Sequence, residues 1–190
     1  MSYLLQAGAT LVEFVVGVYL LLVLLRFIFQ LARADFYNPI SQAIVKLTTP
    51  PLRFLRKFIP GFGGIDWPSI VLLFSVQSLK IMFLSLLLAG RVPAVPGLLV
   101  LCMAELLQLT AYVYMFFIFI MVVISWINPG AYNPLTVVMY QVTEPLMRRV
   151  REKIPPTAGL DFSPMIVLLG IYLFLSLVVA PLRDLGYALS

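Results

Sequence analysis

Residues 37–66 read YNPISQAIVKLTTPPLRFLRKFIPGFGGID, and residues 132–161 read YNPLTVVMYQVTEPLMRRVREKIPPTAGLD. Laid over one another without a gap, 95 positions apart, the stretches pair Asn38-Pro39 with Asn133-Pro134 and Thr48-x-Pro50 with Thr143-x-Pro145. Arg53 and Arg56 meet Arg148 and Arg151, then Ile59-Pro60 meets Ile154-Pro155 and Gly64-x-Asp66 meets Gly159-x-Asp161. Agreement at so many turn-setting and helix-ending residues marks an internal duplication. The chain therefore divides into a first copy, residues 1–93, and a second copy, residues 94–190.

What flanks each copy decides the solvent. Hydrophobic residues make up 62% of the chain and charged residues 11%, against roughly 45–50% and 25% in a soluble domain. So few charges do not cover that much apolar surface in water, whereas lipid does. Four apolar runs, at about 4–29, 68–89, 97–124 and 164–182, are long enough to cross about 30 Å of hydrocarbon. Each must be a helix, because an unpaired backbone amide in lipid costs several kcal/mol. The first run has no basic segment before it and is too long for a cleavable leader, so it reads as a retained span. The fold expected is all-α: four transmembrane helices as two parallel hairpins, each with an amphipathic helical connection.

Basic residues set the orientation. The connection between the first two spans holds Arg33, Lys46, Arg53, Arg56 and Lys57, and that between the last two holds Arg148, Arg149, Arg151 and Lys153. Only Arg91 and Arg183 lie at the opposite ends. The positive-inside rule then puts both connections in the cytoplasm, and both termini and the Arg91 loop outside. Arg26, near the inner end of the first span, is expected to snorkel to the headgroups.

Within each connection, Asn38 or Asn133 suits a helix N-cap and Pro39 or Pro134 the first helical position. Ile40, Ala43, Ile44 and Leu47 form one helical face, repeated by Leu135, Val138, Met139 and Val142. Pro50 and Pro145 are expected to break that helix. A second short helix, 52–59 or 147–154, then interleaves apolar and basic residues, as a segment lying in the membrane interface would. Its cations, Arg53, Arg56, Lys57, Arg148, Arg149, Arg151 and Lys153, either serve only as a topology determinant or form a surface for anionic headgroups or a protein partner. Pro60 and Pro155 end the segment, and Gly64 or Gly159 supplies a turn. Asp66 and Asp161 then precede the next span, either as helix caps or as repeat-related carboxylates for a cation.

Ionisable residues inside the spans are few, costly and often functional. Lys80 and Glu105 both fall roughly 12 Å from the outer face at about 1.5 Å per residue, so they are expected to pair, with Gln77 and Gln108 one turn away. Glu13 lies nearer the outside, and its mate in the second copy is Gln108. The set reads as a clamp between helices or as an ion or proton path.

Other chemistries are excluded or unsupported. Without histidine, imidazole-based catalysis, zinc binding and haem ligation have no residue to use. The single cysteine, Cys102, sits in an apolar run and reads as a small core residue. No catalytic triad, phosphate loop, metal cluster or cofactor signature is present. A net charge of +5, gathered between apolar runs, points to lipid headgroups rather than nucleic acid.

The doubled motif, Asn38-Pro39 to Gly64-x-Asp66 and Asn133-Pro134 to Gly159-x-Asp161, resembles that of the YggT family of bacterial and plastid membrane proteins over nearly the whole chain. The ending Asp161-Phe162-Ser163-Pro164 keeps the family's Asp-x-Ser-Pro pattern, while the first copy reads Asp66-Trp67-Pro68-Ser69. The resemblance implies a small integral membrane protein, with relatives associated with osmotic-stress tolerance, ion uptake, membrane organisation and cytochrome b6 maturation. It supplies no catalytic residue. Two functions stay in view: a non-enzymatic assembly or organising factor, bound to anionic lipid, a membrane-protein partner or a second copy of the chain; and an ion channel or transporter component.

Overall fold

The computed structural model describes residues 3–128, 130, 132–154 and 161–190. Four long apolar helices dominate it: α1 (Tyr3–Leu31), α3 (Trp67–Ala89), α4 (Val95–Ile127) and a fourth over Ser163–Ala188. Two amphipathic helices, α2 (Pro39–Leu55) and α5 (Pro134–Arg151), join α1 to α3 and α4 to the fourth span. The described residues form no extended strand, and the chain is a multi-pass membrane protein built from two repeated hairpins.

The fourth span is longer than the apolar run that marks it. It comprises α6 (Ser163–Phe174), a π-helical turn (Leu175–Val179) and α7 (Ala180–Ala188), so it also takes in Arg183 and Asp184. Pro181 has no amide to continue the regular pattern. One residue earlier, the Ala180 amide reaches back to the Leu175 carbonyl, giving the wider turn that absorbs the interruption.

Both connecting helices start as their sequence dictates. The Asn38 side chain accepts the Ile40 amide at 2.9 Å, and the Asn133 side chain accepts the Leu135 and Thr136 amides at 3.0 Å each. The prolines do not end them, contrary to expectation: α2 runs through Pro50 and Pro51, and α5 through Pro145. A helix-interior proline forfeits one hydrogen bond and crowds the preceding turn, at a cost of about 3 kcal/mol. Burial of the helix face offsets it. Thr48 and Thr143 just before the prolines turn their hydroxyls back to the Ile44 and Met139 carbonyls at 2.7 and 2.9 Å. The expected second helix is thus the end of the first, and Lys57 and Lys153 lie in the turns that follow.

The buried face of α2 is also rotated from the expected one. Ser41, Ile44, Thr48 and Leu52 are buried, and their mates Thr136, Met139, Thr143 and Met147 are buried in α5. Ala43 and Leu47 are exposed instead. Small polar Ser and Thr let α2 approach α1 closely, and the larger Leu47, Phe54 and Phe58 are left on the outer side. Pro60 follows the end of α2, and Gly63 and Gly64 take positive φ (66° and 76°) in the tight return between Phe62 and Ile65. Pro155 and Gly159 lie outside the described residues.

One apolar core ties the two copies together at the end that carries α2 and α5. Leu20, Val23, Leu24 and Ile28 of α1 pack there with Leu72 and Leu73 of α3, Val113 and Phe117 of α4, and Val138 and Val142 of α5. The modules also touch directly. The Asn38 amide nitrogen donates to the Pro134 carbonyl at 2.7 Å, and the Asp35 backbone N–H donates to the Gln141 side chain at 2.9 Å. Phe14, Leu79, Phe116, Phe119 and Leu177 stay exposed on the spans, as lipid-facing residues must.

Candidate functional site: doubled ion pairs and an intramembrane seam

The return from α2 to α3 is closed by charge. Arg56, the residue following α2, places Nη2 3.0 Å from Asp66 Oδ2. That oxygen also accepts the Ser69 hydroxyl at 2.6 Å, and Arg26 Nε lies 3.9 Å away. Asp66 is only 4% exposed. It stands at the start of α3 but makes no side-chain capping bond, because two guanidinium groups and a hydroxyl engage the carboxylate instead.

Arg26 itself departs from expectation. Its side chain does not extend along the surface of α1; it is 8% exposed. Its Nη1 donates to the Val45 carbonyl, Thr48 Oγ1 and Thr49 Oγ1 at 3.2, 2.9 and 3.2 Å. Helix α2 packs over the C-terminal end of α1, so these oxygens meet the guanidinium before open water does. The signal in the sequence was a difference between the copies: Met121 stands at the position equivalent to Arg26, and Glu144 at that of Thr49.

The second copy repeats the closure with another charge balance. Arg151 Nε lies 2.9 Å from Asp161 Oδ2, while Nη1 meets the two Glu144 oxygens at 2.9 and 3.0 Å. The Ser163 amide donates to Asp161 Oδ1 at 2.8 Å, although Phe162, not Asp161, holds the N-cap position. Partial burial alone would raise the Asp161 pKa, but contacts with Ser163 and Arg151 outweigh it and hold the carboxyl below its ordinary value. For Arg151 burial works downward, and Asp161 and Glu144 outweigh it in the upward direction. The first cluster therefore gathers two guanidiniums around one carboxylate, and the second one guanidinium between two carboxylates.

The expected headgroup-binding cations thus fall into two sets. Arg56 and Arg151 are committed to these ion pairs, and Arg148 lies 3.7 Å from Glu152 on the surface. Arg53, Lys57, Arg149 and Lys153 are exposed and have no ion partner among the described residues. Phe54 and Phe58, in edge-to-face contact at 5.3 Å, are exposed beside Arg53 and Lys57.

Within the spans, Lys80 Nζ of α3 lies 3.0 Å from Glu105 Oε2 of α4. Gln77, 2% exposed, donates to the same oxygen. One turn earlier on α4, Cys102 is buried against the Ser78 hydroxyl at 3.1 Å. This seam joins the first repeat to the second. Gln108 does not belong to it and bonds Tyr112 at 2.8 Å; Glu13 is exposed on α1 with no side-chain partner among the described residues. No three carboxylate or thiol side chains converge among the described residues as a metal site would need.

The model of the family described as CCB3/YggT matches residues 5–87 and again residues 100–182. The chain belongs to the CCB3/YggT family. The two matches begin and end with the same separation as Asn38 and Asn133, so the family's unit is the hairpin with its connecting helix. The chain is 43% identical over 164 residues to an uncharacterised protein of Pseudomonas aeruginosa, covering 86% of this chain and 83% of that one. It is 34% identical over 158 residues to YggT of Escherichia coli K12, covering 83% and 81%. A Haemophilus influenzae protein is 38% identical over 157 residues, 82% of each chain. No solved structure matches. This YggT-family protein has relatives whose names carry no enzymatic activity.

Proposed function

We propose that this protein is a non-enzymatic organising factor of the bacterial inner membrane, holding anionic lipid or a membrane-protein partner at its basic end. The observation that carries the reading is the surface set Arg53, Lys57, Arg149 and Lys153, exposed and without ion partners among the described residues, with Phe54 and Phe58 directly following the first two. Each cation near an anionic surface contributes about 1 kcal/mol, and the exposed rings add apolar contact with the interface. The positive-inside rule supports a cytoplasmic basic end and periplasmic termini. Within the spans, Lys80 and Glu105 offset each other's charge, which suits a clamp holding two hairpins together.

Transport is the second reading, favoured by one observation: Glu105 is 32% exposed, so its carboxylate is not sealed within the pair. One experiment separates the two. The purified protein is reconstituted into vesicles containing phosphatidylglycerol, and both ion flux and the composition of the tightly bound lipid are measured. The organising reading expects enrichment of anionic lipid that falls in the variant R53A/K57A/R149A/K153A, with no flux. Flux that disappears on Lys80→Met or Glu105→Gln would replace it with transport.

A further inference from the structure

The charge imbalance between the two copies has a place to act. Between α1 and α2 lies a cavity of about 380 Å³ whose walls include Arg26, Arg56 and Ser41, with Phe29, Phe36 and Ile44. Around it, two guanidinium groups share the single carboxylate of Asp66. Arg26 spends Nη1 on three oxygens of α2, while its Nη2 makes no hydrogen bond with any described residue. Ser41 is 5% exposed, and its hydroxyl has no hydrogen-bond partner among the described residues. A buried cation in excess and a buried hydroxyl left unpaired each cost free energy that an anion with several acceptor oxygens would recover.

The second copy provides an internal comparison. A corresponding cavity of about 290 Å³ is lined by Met121, Thr136 and Tyr140, which stand at the positions of Arg26, Ser41 and Val45. Among the described residues no cation lines it, and Arg151, which stands at the position of Arg56, is held between Glu144 and Asp161. The fold repeats the cavity; only the first copy charges it.

We propose that the cavity of the first copy binds the phosphate of an anionic phospholipid, with Arg26, Arg56 and Ser41 as donors. Arg26 lies five residues before the end of α1, hence roughly 7.5 Å inside its basic end at 1.5 Å per residue, close to where headgroup phosphates lie. Guanidinium groups suit phosphate because their parallel N–H bonds match two of its oxygens. Phe29, Phe36 and Ile44 on the same wall provide apolar contact for the glycerol and first acyl carbons. The net positive charge selects an anionic lipid over a zwitterionic one. This assignment rests on the lipid-organising reading above and gives it a defined headgroup site, apart from the surface cations.

The test uses the full chain in zwitterionic phosphatidylcholine nanodiscs, titrated with short-chain phosphatidylglycerol, short-chain phosphatidylcholine or inorganic phosphate. Bound lipid is counted by native mass spectrometry. The expected result is one tightly held phosphatidylglycerol per chain, with weak binding of the other two. Arg26→Met, which copies the second repeat, should weaken binding by about tenfold or more, the loss of charge-assisted bonds. Ser41→Ala removes only an unpaired hydroxyl, so it leaves the fold intact and should weaken binding by about fivefold. Equal affinity in the wild type and in Ser41→Ala, or saturation by inorganic phosphate alone, would overturn the lipid site. R53A/K57A/R149A/K153A leaves the cavity untouched. If it loses bulk lipid enrichment while keeping the one tight lipid, the site stands alone; if cavity variants bind normally while it loses enrichment, the broader reading survives and the cavity does not.

Discussion

Asp66 and Asp161 hold the same place in the two repeats, yet they experience different surroundings. Asp66 is buried and, among the described residues, is the only carboxylate paired with Arg26 and Arg56, whereas Asp161 is 35% exposed and shares Arg151 with Glu144. Removing one member of a buried ion pair strands its partner, which costs about 3–5 kcal/mol; an exposed pair contributes about 0–1 kcal/mol. Asp66→Asn should therefore lower the thermal midpoint in detergent far more than Asp161→Asn. The second pair has its own pH signature. The folded Asp161 carboxyl titrates below its ordinary 3.8, so its contribution is fully present above about pH 5 and disappears as pH falls through the folded value. The stability difference between the wild type and Asp161→Asn should be constant from neutral pH to about pH 5 and shrink toward zero under stronger acid. A difference that grew on acidification would contradict the assignment.

At the scale of elements, α4 and α7 cross where neither has a side chain. A methyl on Gly97 would stand 2.7 Å from the Leu189 carbonyl carbon and 2.8 Å from the Gly186 carbonyl oxygen, and would also strike the Ser190 hydroxyl. A methyl on Gly186 would meet mainly the Leu101 side chain at 2.8 Å. In lipid, such small-residue crossings let helices gain van der Waals contact without help from water. Gly97→Ala should thus push the end of α7 off α4, because its clashes are with backbone. Gly186→Ala should be milder, since a leucine side chain can turn aside. Limited proteolysis near the C-terminus, compared between the two variants, measures the difference; equal susceptibility would mean that the crossing tolerates a methyl at both positions.

For the whole molecule, the decisive joint is between the repeats. Lys80 and Glu105 come from different copies, and neither charge is matched at its own repeat position, where Leu175 and Thr10 stand. The pair thus bridges the two hairpins, and the clamp reading makes a prediction about it. Lys80→Met and Glu105→Gln should each destabilise the fold by leaving the other group unmatched in a low-dielectric setting. The double variant should lose less than the sum, with a coupling of about 0.5–3 kcal/mol. Unfolding in mild detergent with added denaturant reads this cycle, and additive losses would show that the two charges do not support each other.

Much of this was legible in the chain itself. Apolar length gave the four spans, because hydrocarbon thickness and backbone hydrogen bonding leave a membrane-crossing segment few alternatives. The gapless repeat gave two like hairpins, and Asn38 and Asn133 gave their N-caps, because capping is settled within three residues. The path of α2 through Pro50, the burial of Ser41 in place of Leu47, and the inward turn of Arg26 depended on neighbours far along the sequence. A proline's cost is local, but the packing that offsets it comes from α1, α3 and α5. The sequence alone thus determined which segments are helices and how often they recur; the tertiary structure alone decided which face each one buries and where Arg26 directs its charge, because those depend on contacts between segments that the order of residues does not specify.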